Sequence, residues 1–287
     1  MDSASIHTEE PKKQKFKEGS KQMREETPAL ENFVKDLNTT FYRCVSQSFS
    51  QTRLRPWNGW EEILKEIEDV FDAQNHNVPP DALSIIDFGC GNGRFGFFLQ
   101  NELPFPIHYV GIDNNIALLE EAKTKLSGQG FEVADLTSPL ELARVRGGVR
   151  FDIAACFGVF HHLYGQKTRV HLLDEILSAL KSPGLACLSF WQPLNNARYF
   201  EQSQKNIALL RRSHPHIPFD VFGTQDLFLS WQERRDAFRF VHSFTKQEIV
   251  EFLATATSMY PDVKIRSIFN TNAGNDTDNT YAILQKG

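Results

Sequence analysis

Cysteine is scarce in this chain of 287 residues. The four thiols, Cys44, Cys90, Cys156 and Cys187, are too far apart to form a metal-ligand pair. No paired spacing of the zinc-site kind occurs, so no metal is expected, and four reduced thiols of a cytoplasmic or nuclear protein are. Long apolar runs are missing too: nothing approaches the roughly 20 residues that a bilayer-spanning helix needs, so no membrane partner is expected. The first residues are too polar for a signal peptide and too acidic for a transit peptide. Positive charge is not in excess. Thirty-one Lys and Arg against 36 Asp and Glu give a net charge of -5. That excludes broad nucleic-acid affinity of the whole surface but leaves room for a local basic patch. What is abundant is core: 41% of residues are hydrophobic, 24 of them Phe. One large α/β domain with appendages fits that length and composition.

The most telling stretch is Ile85-Ile86-Asp87-Phe88-Gly89-Cys90-Gly91-Asn92-Gly93-Arg94-Phe95-Gly96. An apolar run meets an acid, then glycines at alternate positions, then an apolar helix start. This predicts a strand turning tightly into a helix and offering bare backbone at Gly89 and Gly91 to a ligand. Gly91-x-Gly93-x-x-Gly96 also satisfies the dinucleotide fingerprint, in which the helix start receives a pyrophosphate. Charge separates the two. Asp87 would repel a pyrophosphate and welcome a cationic, amine-bearing ligand such as S-adenosylmethionine. Two further apolar runs end in acids. Ile112-Asp113-Asn114 suits ribose hydroxyls, and Ala134-Asp135-Leu136 suits an adenine amino group.

With these motifs the chain resembles the class I S-adenosylmethionine-dependent methyltransferases, from about Asn38 to the C-terminus. The run Phe151-Asp152-Ile153-Ala154-Ala155-Cys156-Phe157-Gly158-Val159-Phe160-His161-His162-Leu163 is similar to the family's fourth strand and its His-His pair. The resemblance implies that Cys156 and Phe157 line the methionine half of the cofactor. Adjacent histidines point apart and have no third ligand nearby, so a structural or substrate-facing role is expected for them rather than metal binding. The implied fold is α/β and Rossmann-like, with a mostly parallel seven-stranded sheet that ends in an antiparallel hairpin.

The chain divides accordingly. Residues 1–28 are polar with balanced charge and are expected to be a disordered tail. Residues 29–82 form a helical extension, with helical apolar spacing from Trp60 to Phe71. Residues 83–287 make the methyltransferase domain. Within it, Thr168–Leu180 is an amphipathic helix stopped by Pro183-Gly184, and Leu185–Trp191 is a fifth strand. Residues 192–243 are an insertion of mixed polarity and the expected seat of substrate recognition. A helix from Lys246 to Thr257 and strands at Val263–Phe269 and Thr280–Gln285 complete it.

A second resemblance is more specific. Phe41-Tyr42-Arg43, Ser48-Phe49-Ser50-Gln51-Thr52-Arg53-Leu54-Arg55-Pro56-Trp57 and Arg239-Phe240-Val241-His242-Ser243-Phe244 are similar to segments of the tRNA wobble-uridine carboxymethyl methyltransferases, with Val241 in place of an aromatic residue. It implies a methyl ester formed on a carboxymethylated uridine of tRNA, with a small activator subunit. A carboxylate nucleophile needs no general base, only a cation to hold it. Arg239 and His242 are the catalytic candidates. Arg53 is expected to clamp the cofactor carboxylate or a substrate phosphate, and Tyr42 to close the cofactor pocket. Arg198, Lys205, Arg211, Arg212, Arg234 and Arg235 make the insertion locally basic, as RNA phosphates would require. Two alternatives stand beside this: a small-molecule methyltransferase acting on a carboxylate, hydroxyl or amine, and a non-catalytic cofactor-binding subunit.

Overall fold

The computed structural model describes residues 27–52, 55–71, 82–232, 234, 236–271 and 279–287. The polar tail lies almost wholly outside these residues, as do Arg53 and Arg235.

Strands β1 (Leu83–Phe88), β2 (Ile107–Asp113), β3 (Gly130–Val133), β4 (Phe151–Cys156) and β5 (Leu180–Trp191) run parallel. The last two, β8 (Val263–Asn270) and β9 (Asn279–Lys286), form the antiparallel end of the sheet. The spatial order is β3-β2-β1-β4-β5-β9-β8, so β1 and β4 are the neighbours at the centre. Side chains alternate across each strand. Ile86, Ala154, Ala186 and Leu284 face one helix layer, which contains α6 (Gln166–Ser178) and α8 (Lys246–Met259). Ile85, Ile153, Leu185 and Ile283 face the other, which contains α2 (Gly59–Val70) and α3 (Arg94–Glu102). Buried on both faces, the central strands read as unbroken apolar runs, as parallel sheets must. The remaining crossovers are α4 (Ile116–Lys125) and α5 (Pro139–Arg146).

Two boundaries differ from the sequence expectation. Strand β5 begins at Leu180, because Leu180 pairs with Phe151 and the register then shifts before Ile153 pairs with Leu185. Pro183 and Gly184 therefore lie inside an irregular strand instead of between two elements. Strand β3 stops at Val133, and Asp135 instead receives the N–H and hydroxyl of Thr137 in a tight turn.

The insertion is built, not loose. Helix α7 (Ala197–Ser213) packs on a hairpin of β6 (Asp226–Ser230) and β7 (Phe238–His242). Buried Ser203 and Asn206 of α7 satisfy the N–H and C=O of Phe228, at 2.9 and 2.8 Å. Helix α1 (Pro28–Gln51) lies across this unit, with Leu30 and Val34 packed among Tyr164, Leu210, Phe228 and Phe240. So α1 joins the insertion to the strand ends of the main sheet.

Candidate active site

A cavity of about 430 Å³ opens at the C-terminal ends of β1, β2 and β4, roofed by α1. This is where ligands bind in open α/β sheets, because the strand order reverses between β1 and β4. Of the cofactor candidates, Tyr42, Asp87, Gly89, Gly91, Asp113, Asn114, Asp135, Leu136 and Phe157 all line it. Cys156 does not. Its side chain is fully buried in the sheet-to-helix core beside Phe160 and Leu188, which removes it from the cofactor wall.

The loop after β1 explains the glycines. Gly89 and Gly91 both have left-handed backbone, with φ of +80° and +54°. A Cβ on Gly89 would stand 2.3 Å from Val159 Cγ2. Gly91 presents its N–H to Asp113 Oδ2 at 2.9 Å, while Asn115 N–H donates to the other oxygen at 2.8 Å. Asp113 thus holds the glycine loop as well as facing the cavity. Gly96, the third glycine of the apparent dinucleotide fingerprint, has a different task. A Cβ there would fall 2.6 Å from the Tyr109 ring, and Tyr109 Oη donates to Asp87 Oδ2 at 2.6 Å. The residue that looked like a phosphate signal makes room for the tyrosine that orients the acid.

The three acids differ electrostatically. Burial pushes Asp87 up to about 7, against the opposing Tyr109 hydrogen bond. Burial also raises Asp113, opposed by the N–H groups of Asn115 and Gly91. For Asp135, burial works against ionisation, but the paired Lys35 ammonium and the Thr137 donors outweigh it and hold it below the usual carboxylate range.

Opposite the acids, a second polar group closes the cavity. Tyr42 Oη and His162 Nε2 are 2.6 Å apart, and both residues line the wall. His162 Nδ1 lies 2.9 Å from the Phe240 carbonyl, which can only accept. Burial and the charge of Arg239 lower His162 to about 3, so the ring is neutral. Nδ1 therefore carries the proton and Nε2 accepts from Tyr42. Arg239 Nη1 in turn donates to Tyr42 Oη at 3.3 Å. Asn38 completes the frame, donating to His162 O at 2.9 Å and accepting from Phe240 N at 2.7 Å.

Arg239 is buried, and its guanidinium carbon is 5.1 Å from the ring centroids of both Phe41 and Trp191. Its Nε makes no hydrogen bond, and no carboxylate among the described residues pairs with it. The guanidinium reaches the cavity wall through Tyr42. His242 is placed elsewhere: Nδ1 is 2.7 Å from Asp226 Oδ1 and Nε2 is 3.6 Å from Glu248 Oε1. That pairing ties the hairpin to the capped start of α8, and the residue does not reach the cavity.

Sequence reasoning missed Lys35 and Asn38. They precede Tyr42 at the spacing of one helix face, and that periodicity was the available signal.

The residues fit S-adenosylmethionine. Backbone is bare at Gly91, acids stand at the ends of β1 and β2 and just beyond β3, and the cavity volume is in the range of small-molecule sites. When bound, this cofactor supplies an electrophilic methyl group on a sulfonium.

Comparison with known proteins agrees. Residues 86–186 match the family model described as a methyltransferase domain. The chain is 23% identical over 269 residues to the tRNA (carboxymethyluridine(34)-5-O)-methyltransferase of Schizosaccharomyces pombe, covering 85% of this chain and 94% of that protein. It is 28% identical over 151 residues to the Saccharomyces cerevisiae protein of the same name, covering 52% of this chain but only 46% of that one. A carboxy-S-adenosyl-L-methionine synthase of Campylobacter jejuni is 30% identical over 151 residues, 45% of this chain and 60% of the other. Among solved structures, an amino pentose methyltransferase of Micromonospora echinaspora with SAM bound superposes with a TM-score of 0.51 at 16% identity. The match spans 85% of this chain and 97% of that one, and it supports the fold. The chain is an S-adenosylmethionine-dependent methyltransferase of the class I fold.

Proposed function

We propose that the methyl acceptor is a carboxylate, and specifically the carboxymethyl group of a modified wobble uridine in tRNA. The observation that carries this is Arg239. A buried guanidinium without an anion is costly, and its cost falls when a carboxylate arrives to pair with it. Two aromatic rings hold the guanidinium flat, so one N–H edge can grip one carboxylate oxygen while the other attacks. No proton must be removed from a carboxylate at neutral pH, which suits a wall whose histidine is neutral and already committed to Tyr42. Catalysis then rests on alignment and on exclusion of water beneath α1. The names borne by the two yeast relatives support tRNA as the carrier.

Exposed Arg198, Lys205 and Arg212 on α7 are candidates for RNA phosphate contacts. A small activator subunit belongs to the same proposal. Strand β3 is one edge of the sheet, with Val133 46% and nearby Leu140 81% exposed.

The test is transfer of labelled methyl from S-adenosylmethionine into bulk tRNA, followed by mild alkali. Label released as methanol supports an RNA-borne ester. Alkali-stable label keeps RNA and moves the acceptor to nitrogen, carbon or hydroxyl. No incorporation, by a protein that binds cofactor and has been supplied with its activator, would leave a small-molecule acceptor instead.

A further inference from the structure

The acceptor must reach Arg239 while its carrier stays outside. Arg239 is 7% exposed, and Tyr42 stands between it and the cofactor cavity. A nucleobase that presents its substituent there has to leave the stack, and its sugar-phosphate backbone remains at the surface. Trp191, half-buried with its ring centroid 5.1 Å from the guanidinium carbon, connects Arg239 to the surface on the insertion side. Trp191 in turn meets Tyr199 edge-on at 5.5 Å, and Tyr199 is in the first turn of α7. The route outward from Arg239 therefore leads onto α7.

Charge on α7 is the reverse of the chain's. The chain carries a net charge of -5, but α7 has Arg198, Lys205, Arg211 and Arg212 against one acid, Glu201. Three of these cations share a stripe with Gln202 and Leu209, because positions 198, 202, 205, 209 and 212 follow the i, i+4, i+7 spacing of one helix face. Arg198, Lys205, Leu209 and Arg212 are exposed, while Ser203, Asn206 and Leu210 form the buried face. Pairing separates the cations further. Arg211 pairs with Asp220 at 2.5 Å, and Arg234, between β6 and β7, with Asp236 at 2.6 Å. Among the described residues no carboxylate pairs with Arg198, Lys205 or Arg212.

We propose that the stripe of Arg198, Lys205 and Arg212 is a rail for the phosphate backbone of single-stranded RNA, starting at Trp191 beside the acceptor and running outward along α7. The inference rests on the proposed RNA carrier and is independent of the ester. Seven residues of α-helix rise roughly 10 Å, so the three cations meet a strand at regular intervals over about 21 Å. Regular spacing suits a repeating polyanion, and contacts of this kind set position and register, not sequence. Arg198 is the innermost of the three. Its Nη2 donates to Tyr199 Oη at 3.2 Å, and its guanidinium carbon lies 4.8 Å from the centroid of the same ring. That lays the side chain over the aromatic route to Trp191. Leu209, between Lys205 and Arg212, gives a sugar or base edge an apolar surface to rest on. Arg211 and Arg234 are exposed and basic too, but their own carboxylates neutralise them and leave them out of the rail.

The test is the salt dependence of binding, which counts phosphate contacts and needs no turnover. A stem-loop RNA with a uridine in its loop is titrated into the full-length protein between about 50 and 200 mM salt. For single strands each neutralised phosphate contributes about 0.7 to the slope of log affinity against log salt. Arg198→Gln, Lys205→Gln and Arg212→Gln should each reduce that slope by about 0.7, and the triple variant by about 2. Arg211→Gln and Arg234→Gln should leave it unchanged. The triple variant should bind S-adenosylhomocysteine as wild type does, and in methyl transfer its KM for RNA should rise while kcat holds. A fully paired duplex, which offers no unstacked base, should bind wild type and triple variant alike. Equal slope losses for paired and unpaired cations would mean diffuse attraction and overturn the rail. An unchanged slope in the triple variant of a protein that does bind and methylate RNA would overturn it too, leaving RNA as the carrier. No affinity for the stem-loop, alone or with an activator subunit, would refute the carrier and the rail together.

Discussion

Tyr42 and His162 meet across the cavity wall with 2.6 Å between hydroxyl and imidazole nitrogen, although 120 residues separate them in the chain. The direction of that bond is fixed from the far side of the ring, where the Phe240 carbonyl claims Nδ1–H. Tyr42 must donate inward, which turns its lone pairs toward Arg239. Tyr42→Phe breaks the link between the buried cation and the wall. Turnover should fall by about tenfold or more, an increase in barrier of about 1.4 kcal/mol. Cofactor affinity measured by calorimetry should stay within about threefold, since the acids of β1 and β2 are untouched. A parallel loss of both would mean that Tyr42 shapes the cavity as a whole.

Arg239→Ala separates chemistry from binding in the same way, with a larger effect. Removing the cation leaves the acceptor carboxylate unheld, and about a hundredfold loss in kcat/KM is expected. S-adenosylhomocysteine should bind about as well as before. Arg239→Lys keeps the charge but loses the planar fork between Phe41 and Trp191, so it should recover only part of the rate. Full activity in either variant would remove Arg239 from the reaction.

Asn38 is a structural counterpart to these residues. Its side chain satisfies both Phe240 N–H and His162 C=O. Asn38→Ala strands two backbone groups in a buried setting, at a cost of about 2 kcal/mol or more. Urea denaturation should show the midpoint shift with little change in slope. A shift below about 0.5 kcal/mol would mean that water enters and replaces the amide.

The parts of the site visible in the sequence are those written locally. Asp87, Asp113 and the glycine loop lie within or beside their own strands, so residue type and spacing were enough to find them. The relationships that needed the fold are long-range. Gly96 acts through Tyr109 on Asp87, and nothing in the run Gly91–Gly96 distinguishes that from phosphate binding. The face of α1 that carries Lys35, Asn38 and Tyr42 meets its partners about 100 to 200 residues downstream. The hairpin β6–β7 hid in an insertion of mixed polarity, because its two five-residue strands lack a polar-apolar alternation: Phe228 and Phe240 pack in one buried cluster, and their neighbours Leu227, Leu229 and Val241 in another. His242 read as an acceptor-facing cation by its place beside Arg239, but strand alternation and the acids Asp226 and Glu248 take it away from the cavity.

Asp113→Ala should weaken S-adenosylhomocysteine at least tenfold, or about 1.4 kcal/mol. Two effects combine there: the carboxylate facing the cavity is lost, and Gly91 N–H loses the acceptor that holds the loop open. Asp113→Asn keeps one oxygen for one of the two N–H donors and should bind better than the alanine variant. Unchanged affinity in Asp113→Ala would take the residue out of the cofactor site.

Asp87 gives the affinity a pH dependence of known sign. In the free protein burial lifts its pKa to about 7, so it is mostly protonated at pH 6 and mostly ionised at pH 8. An ammonium ligand pairs with the ionised form only, and apparent affinity scales with the ionised fraction. Affinity for S-adenosylhomocysteine should therefore rise with pH, by about tenfold between pH 6 and pH 8, because its amine stays protonated over that range. His162, lowered to about 3, does not titrate in this window and contributes nothing to the slope. Asp87→Asn should bind more weakly at pH 8 and show a flat profile. A flat wild-type profile would mean that the ammonium is met elsewhere, and it would move the zwitterion head away from β1.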